Sequence, residues 1–323
     1  MGTELHSMAD VLTTRGRRQS EPGHVVATGF TPLDETLGGG LRAGELTLLG
    51  GPQGLGKTTM AVQVARNVCD GGGSALYFSF EHDENGLLAR LLVQEAFLAA
   101  GVAAAPYSSV LPAMERAGGL TELLASAPGM EHAAKQIGAA GKRFVVHPSS
   151  GRSTNLDVIR QIVLDSVSGG NRPLVVVDYL QKVNAPAHLV ESERVTLIVE
   201  GLKDLALEAS VPVLAIVAAT QEGIEPGQRL RVHHLRGSSA LAYEADVILL
   251  LNEKYDIVAR HHIAYDLRSS ERFRQVAVCS VEKNRSGRDH VDMEFRKEFE
   301  YCRYDQNGNL VQEQLVDERA TVV

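Results

Sequence analysis

Residues Gly51-Pro52-Gln53-Gly54-Leu55-Gly56-Lys57-Thr58 fit the pattern G-x-x-x-x-G-K-[ST], with an apolar run just before them and a helical pattern just after. Glycines at those positions let a backbone curl until several N–H groups face one phosphate. The start of the following helix adds a favourable dipole. In such a loop Lys57 reaches the β- and γ-phosphates and the Thr58 hydroxyl ligates Mg²⁺, with Thr59 continuing the site into the helix. A glycine turn that merely caps a helix is the bland reading, and the flanking strand and helix patterns argue against it. The expected ligands are ATP and Mg²⁺.

The rest of the chain supplies a matching scaffold. Runs at 46–49, 75–80, 174–177, 213–218 and 247–251 are almost continuously apolar, as strands of a parallel sheet covered on both faces must be. Met60, Ala61, Val64, Ala65 and Val68 fall on one face of the segment after the loop. Alternating strands and helices predict an α/β, doubly wound fold. The stretch 87–140 is helical and alanine-rich, broken at Pro106, Pro112 and Gly118-Gly119. It reads as a helical excursion between two strands of one sheet. From about residue 253 the chain turns β-rich, and runs at 276–281, 291–295 and 299–304 predict an antiparallel edge with hairpins. Residues 1–26 read as a polar lead-in or interface helix, with a short helix near residues 4–13, and 27–323 as one ATPase domain.

Two strand ends carry carboxylates. Asp178 closes the apolar run at 174–177, where it could hold Mg²⁺ beside the loop, although an acid after a strand is also common at turns. Glu81 follows the run at 75–80 and could polarise an attacking water; with Asp83 and Glu84 nearby, an ordinary helix-start acid is the alternative. Gln221 ends the run at 213–220. It is either a sensor of the γ-phosphate or a plain strand-end side chain.

Charge narrows the partners. A net charge of −8 argues against a protein that coats nucleic acid by bulk positive charge, though not against a local basic channel. Arg229, Arg231, His233, His234 and Arg236 stand between residues 228 and 236 with no acid among them, a pattern that would grip a phosphate backbone or simply face solvent. The basic stretch 260–274 is diluted by Asp266 and Glu271 and reads as a solvated insertion. No run of eighteen apolar residues occurs and the amino-terminal residues lack the apolar centre of a signal peptide, so a cytoplasmic protein is expected. Cys69, Cys279 and Cys302 lie far apart without metal-ligand spacing and read as reduced, buried thiols.

Taken in order, these motifs resemble the ATPase domain of DnaB-type replicative helicases. Thr28-Gly29-Phe30-Thr31-Pro32-Leu33-Asp34 and Leu37 to Leu41 resemble that family's approach to its phosphate loop. Phe78-Ser79-Phe80-Glu81, with Arg90 on the helix after it, resembles the glutamate-bearing strand. Asp178-Tyr179-Leu180-Gln181 is similar to the metal-binding motif, the run from His234 to Ile248 to the DNA-facing loop and next strand, and Lys283-Asn284-Arg285-Ser286-Gly287 to the trans-acting basic motif. Leu37 to Leu41, Gly50-Gly51 and the run from Lys283 to Gly287 also resemble the RadA group, whose zinc-binding cysteines and protease-like domain have no counterpart here.

The resemblance implies a RecA-like P-loop NTPase: a mostly parallel central sheet flanked by helices, with a carboxyl-terminal antiparallel β edge. It makes Glu81 the catalytic base, Asp178 the metal acid and Gln221 the sensor. Lys283 and Arg285 become fingers that reach a neighbouring subunit's γ-phosphate, which implies a homo-oligomer, a hexameric ring or a filament. Arg229, Arg231 and Arg236 become contacts to single-stranded DNA. Two departures stand against full identity: the family's collar domain has no counterpart in residues 1–26, and Gly237 and Ser239 replace the acid and glycine usual in the DNA loop. The expected function is an ATP-driven single-stranded-DNA motor. A RecA- or KaiC-like assembly switch or recombination mediator that unwinds nothing is the alternative.

Overall fold

A computed structural model describes residues 7–9, 24–225, 227–237, 239–263 and 267–317. Most of the helix expected near residues 4–13 lies outside the described residues. The buried apolar runs become the strands. In chain order these are β1 (Val25–Val26), β2 (Leu41–Arg42), β3 (Leu46–Gly51), β4 (Ala75–Ser79), β5 (Phe144–Pro148), β6 (Leu174–Asp178), β7 (Val213–Ala218), β8 (Val247–Glu253), β9 (Val276–Asn284), β10 (Val291–Glu298), β11 (Arg303–Tyr304) and β12 (Asn309–Leu310). Strands β1 and β2 pair by themselves. The large sheet runs β11-β10-β9-β8-β3-β7-β6-β4-β5, with β12 on β10. It is parallel from β8 to β5 and antiparallel beyond β8, the RecA-like architecture expected.

Helices cover both faces: α1 (Thr31–Thr36), α2 (Lys57–Asp70), α3 (Glu84–Ala100), α4 (Tyr107–Met114), α5 (Gly119–Ser126), α6 (Met130–Ala140), α7 (Leu156–Ser168), α8 (Glu191–Ala209), α9 (Ala240–Glu244), α10 (Lys254–Ile257) and α11 (Leu267–Arg274). One core joins α2 to the sheet through Met60, Val64, Leu49, Tyr77 and Val176. The opposite face packs α7 and α8 through Ile159, Val163, Ile198 and Leu202 against Leu48 and Phe78. Helix α3 has two apolar faces, because Leu87 and Leu91 join the α2 core while Ala89, Val93 and Ala96 meet Val110 and Met130 of the excursion. That explains why Glu84–Ala103 has the length and composition of a membrane span while half of it is buried in the fold.

Three local expectations need correction. Strand β5 was not foreseen: it is the sheet edge, and its half-buried Phe144 and Val146 alternate with exposed Val145, so it lacks the continuous apolar run of its neighbours. Residues 299–304 are not one strand. Phe299–Tyr301 form a 3₁₀ turn, Cys302 takes a left-handed φ of 51°, and only Arg303 and Tyr304 pair with β10. The stretch 260–274 is not simply solvated, since the Phe273 ring is buried beneath the Lys254 ammonium at 4.7 Å. That lysine, 1% exposed, is itself held by Glu294 and Glu313.

The entry motif proves to be a clamp. Asp34 accepts hydrogen bonds from the Thr28 N–H and hydroxyl and from the Gly29 N–H at 2.7–2.9 Å. Asn67 of α2 donates to the Thr28 carbonyl at 2.8 Å. The segment before β3 is thereby tied to the helix that follows the phosphate loop.

Candidate nucleotide and DNA site

Strand β3 lies between β8 and β7, and the loop leaves its carboxyl end, where doubly wound sheets open their binding crevice. Gly54 and Gly56 hold left-handed φ angles of 80° and 71°. A Cβ on Gly56 would come within 2.7 Å of the Phe299 ring. Gly56 caps α2 without a side chain, so no side-chain bond occupies the first N–H groups of that helix. Lys57 folds back over the loop, donating to the carbonyls of Gly51 at 2.8 Å and Pro52 at 2.9 Å. Burial pulls its pKa below the usual lysine range, against the opposing pull of Asp178 and Glu81.

Asp178 ends β6 and is buried. Its Oδ2 accepts from the Tyr77 hydroxyl at 2.8 Å, while Oδ1 is buried with no hydrogen-bond partner. Burial raises its pKa; hydrogen bonds from Tyr77 and Thr58 oppose that rise. A hydroxyl and a carboxylate with one unused buried oxygen form a hard oxygen donor set, which suits a magnesium ion. Glu81 is exposed at the end of β4, beside His82.

One cleft of ≈ 550 Å³ brings together Gly51, Gln53, Gly54, Gly56, Lys57, Thr58 and Thr59 of the loop with Glu81, Asp178 and Arg236. Leu55 is instead buried in the core, and Pro52 turns its carbonyl to Lys57. Gln221 is exposed at the start of a 3₁₀ turn after β7 and is not among the lining residues.

The basic segment divides on inspection. Arg236 is exposed, at the cleft edge, paired with Glu191 at 2.7 Å. Arg229 is not a surface contact: it is buried, bound to Asp292 and, at 3.1 Å, to Ser280. Arg231 is half-buried between Glu282 at 2.7 Å and Asp317. These two arginines brace the segment against β9, β10 and Asp317. The lack of acids nearby in sequence hid acids supplied from far along the chain.

Lys283 and Arg285 lie at the end of β9. Register pairs Lys283 with Ile248 and Ile248 with Leu48, midway along β3, and Arg285 donates its N–H to the Asp246 carbonyl just before β8, whereas the phosphate loop leaves the far end of β3. Lys283 donates to the carbonyls of Ala242 at 2.7 Å and Tyr243 at 3.3 Å; Arg285 bonds the Tyr243 carbonyl and pairs with Asp246 at 3.3 Å. Neither residue lines its own chain's cleft.

Sequence reasoning gave no role to Tyr77 or Arg90. Tyr77 is fully buried, and a tyrosine in an otherwise apolar strand signals that its hydroxyl has a partner. Arg90 lines the cleft, stacks over Tyr107 at 4.8 Å and approaches His82 Nε2 at 3.4 Å. Burial, followed by that nearby guanidinium, lowers the His82 pKa.

With this geometry in hand, comparison with known proteins is decisive at the level of family. The DnaB-like helicase C-terminal domain matches residues 25–304. The chain belongs to that family. The replicative DNA helicase DnaB of Treponema pallidum (strain Nichols) is 27% identical over 252 residues, 77% of this chain and 52% of the relative. The chain thus spans about half the length of that curated relative. The DNA repair protein RadA of Mycolicibacterium smegmatis is 50% identical over a shorter stretch of 54 residues, 17% of this chain. Among solved structures, the ATPase domain of G40P superposes with a TM-score of 0.74 over 93% of this chain and 99% of that one, at 21% identity, a likeness of fold.

Proposed function

We propose that this DnaB-like chain is an ATP-dependent motor on single-stranded DNA that hydrolyses ATP at interfaces between copies of itself in the cytoplasm. The observation that carries the proposal is the meeting, in one cleft, of a phosphate loop, two carboxylates and the exposed Arg236. Lys57 would leave the carbonyls of Gly51 and Pro52 for the nucleotide's phosphates. Thr58 and the unused Asp178 oxygen would hold Mg²⁺, which when bound neutralises phosphate charge. Glu81, open to solvent at the cleft mouth, would accept the proton of the attacking water. Gln221 would sense the γ-phosphate only after its 3₁₀ turn moves. Arg236 would exchange Glu191 for a DNA phosphate, an electrostatic contact weakened by salt. Lys283 and Arg285, remote from their own cleft, would serve a neighbour's, as the spreading charge of phosphoryl transfer requires.

The test is steady-state ATP hydrolysis by the purified chain, with and without single-stranded DNA, with Lys57→Ala as the blank. Stimulation by DNA of several-fold or more is expected, on the scale of about 1–3 kcal/mol that couples two sites. A rate that rises with protein concentration yet ignores DNA would refute the motor and point to an assembly switch.

A further inference from the structure

One side chain, Gln181, ties the turn after Asp178 to both the end of β7 and the Arg236 main chain. Past Asp178 the chain enters a 3₁₀ turn, Leu180–Lys182, pinned to the core by the fully buried Leu180. Gln181, in the middle of that turn, faces outward from the core. Its Nε2 donates to the Arg236 carbonyl at 3.0 Å, and its Oε1 accepts from the Ala218 N–H at 3.2 Å. Ala218 ends β7, the strand between the phosphate-loop strand and the Asp178 strand. Beyond it the backbone ladders onto the basic segment: Arg236 N–H donates to the Ala218 carbonyl at 2.8 Å, and Thr220 N–H to the His234 carbonyl at 2.8 Å. On the other side, a Cβ on Gly237 would stand 2.5 Å from Val195 of α8. The Arg236 backbone therefore rests in a defined place, set by β7, α8 and the Gln181 amide.

The chemistry of the junction selects an amide. The Arg236 carbonyl needs a donor and the Ala218 N–H needs an acceptor. Among side chains of this length only glutamine supplies both, since glutamate accepts only and lysine donates only. We infer that Gln181 is a positioning residue that couples the state of the nucleotide site to Arg236, touching neither nucleotide nor DNA. Loading of Asp178, two residues before the turn, is relayed as a rotation of the short turn about the buried Leu180, and Gln181 carries that rotation to the Arg236 main chain. The inference rests on the reading of Arg236 as a DNA contact, and it adds the residue that links that contact to ATP.

The test compares the full wild-type chain with Gln181→Ala and Gln181→Glu; the glutamate retains the acceptor and removes the donor. Three quantities are read: basal hydrolysis, its stimulation by an oligodeoxythymidylate, and the ratio of oligonucleotide affinities with ADP and with a non-hydrolysable ATP analogue. Both variants should keep basal hydrolysis and melting temperature and lose stimulation. Their affinity ratio should fall from the order of ten-fold expected for coupled sites toward one. Stimulation in both variants equal to wild type would overturn the inference and leave the motor standing. A fall in melting temperature or basal hydrolysis in parallel with the loss of stimulation would mark Gln181 as structural and overturn it too. A wild-type chain that DNA does not stimulate would overturn the motor, and this coupling with it.

Discussion

At the scale of single residues, stability and chemistry pull in opposite directions at Asp178. Its carboxyl is buried with one oxygen unpartnered, and burial raises its pKa above the usual 3.8. The folded chain therefore holds that proton more tightly than the unfolded chain does. Ionised, the group destabilises the fold; the penalty is full above the folded pKa and fades as pH falls through it. Asp178→Asn removes the charge and keeps an oxygen to accept from Tyr77. Without nucleotide, the variant should be more stable than wild type at neutral pH by about 1–2 kcal/mol, and the difference should vanish in acid below the carboxylate range. Thermal melts across pH check this. Magnesium and ATP should reverse the order, because a ligand that binds only the folded wild-type site stabilises only that protein.

Among elements, Arg229 shows what charge patterning alone can mislead about. Arg229→Ala strips Asp292 and Ser280 of a buried partner and should lower stability by about 1–3 kcal/mol, less than for a fully enclosed pair because Asp292 is 27% exposed. Denaturant melts give that loss, and the DNA affinity of the folded fraction should not change. The partners of Arg229 and Arg231 lie 51 to 86 positions along the chain, a distance no local pattern reveals. Central strands were legible for the opposite reason. Burial on both faces writes a continuous apolar run into β3, β4, β6, β7 and β8, whereas edge strand β5 is half-buried and writes a weaker one. The phosphate loop was legible because its parts are contiguous, and Glu81 and Asp178 because strand ends converge on one edge. The partners of Tyr77, Arg90 and Gln181 lie on other elements, so a sequence that places Arg90 and Gln181 within motifs still does not disclose what they touch.

For the whole molecule, the decisive fact is that Lys283 and Arg285 lie off the cleft that holds the phosphate loop, so under the proposed function the pair would complete a neighbour's site. The loop opens from the carboxyl end of β3, while Lys283 registers through Ile248 with Leu48 and Arg285 lies beyond the start of β8. At a rise of about 3.3 Å per residue, Lys283 stands about 10 Å back from Gly51 along the strand direction, two strands away, and Arg285 stands further back still. Head-to-tail packing of copies would bring one chain's Arg285 to another's cleft, the heterologous contact from which rings and filaments are built. Lys57→Ala chains then keep an intact finger and Arg285→Ala chains an intact cleft. Each variant alone should be nearly inactive, with the arginine variant still binding ATP. Mixed in equal amounts, they should regain hydrolysis, because roughly a quarter of randomly formed interfaces would join an intact cleft to an intact finger. Steady-state assays of the mixture over a dilution series check this, and the recovered rate should fall as the assemblies dissociate. Full hydrolysis by dilute Arg285→Ala protein alone would show that the reaction needs no neighbour. Recovery only on mixing requires that the working unit is an interface and not a chain.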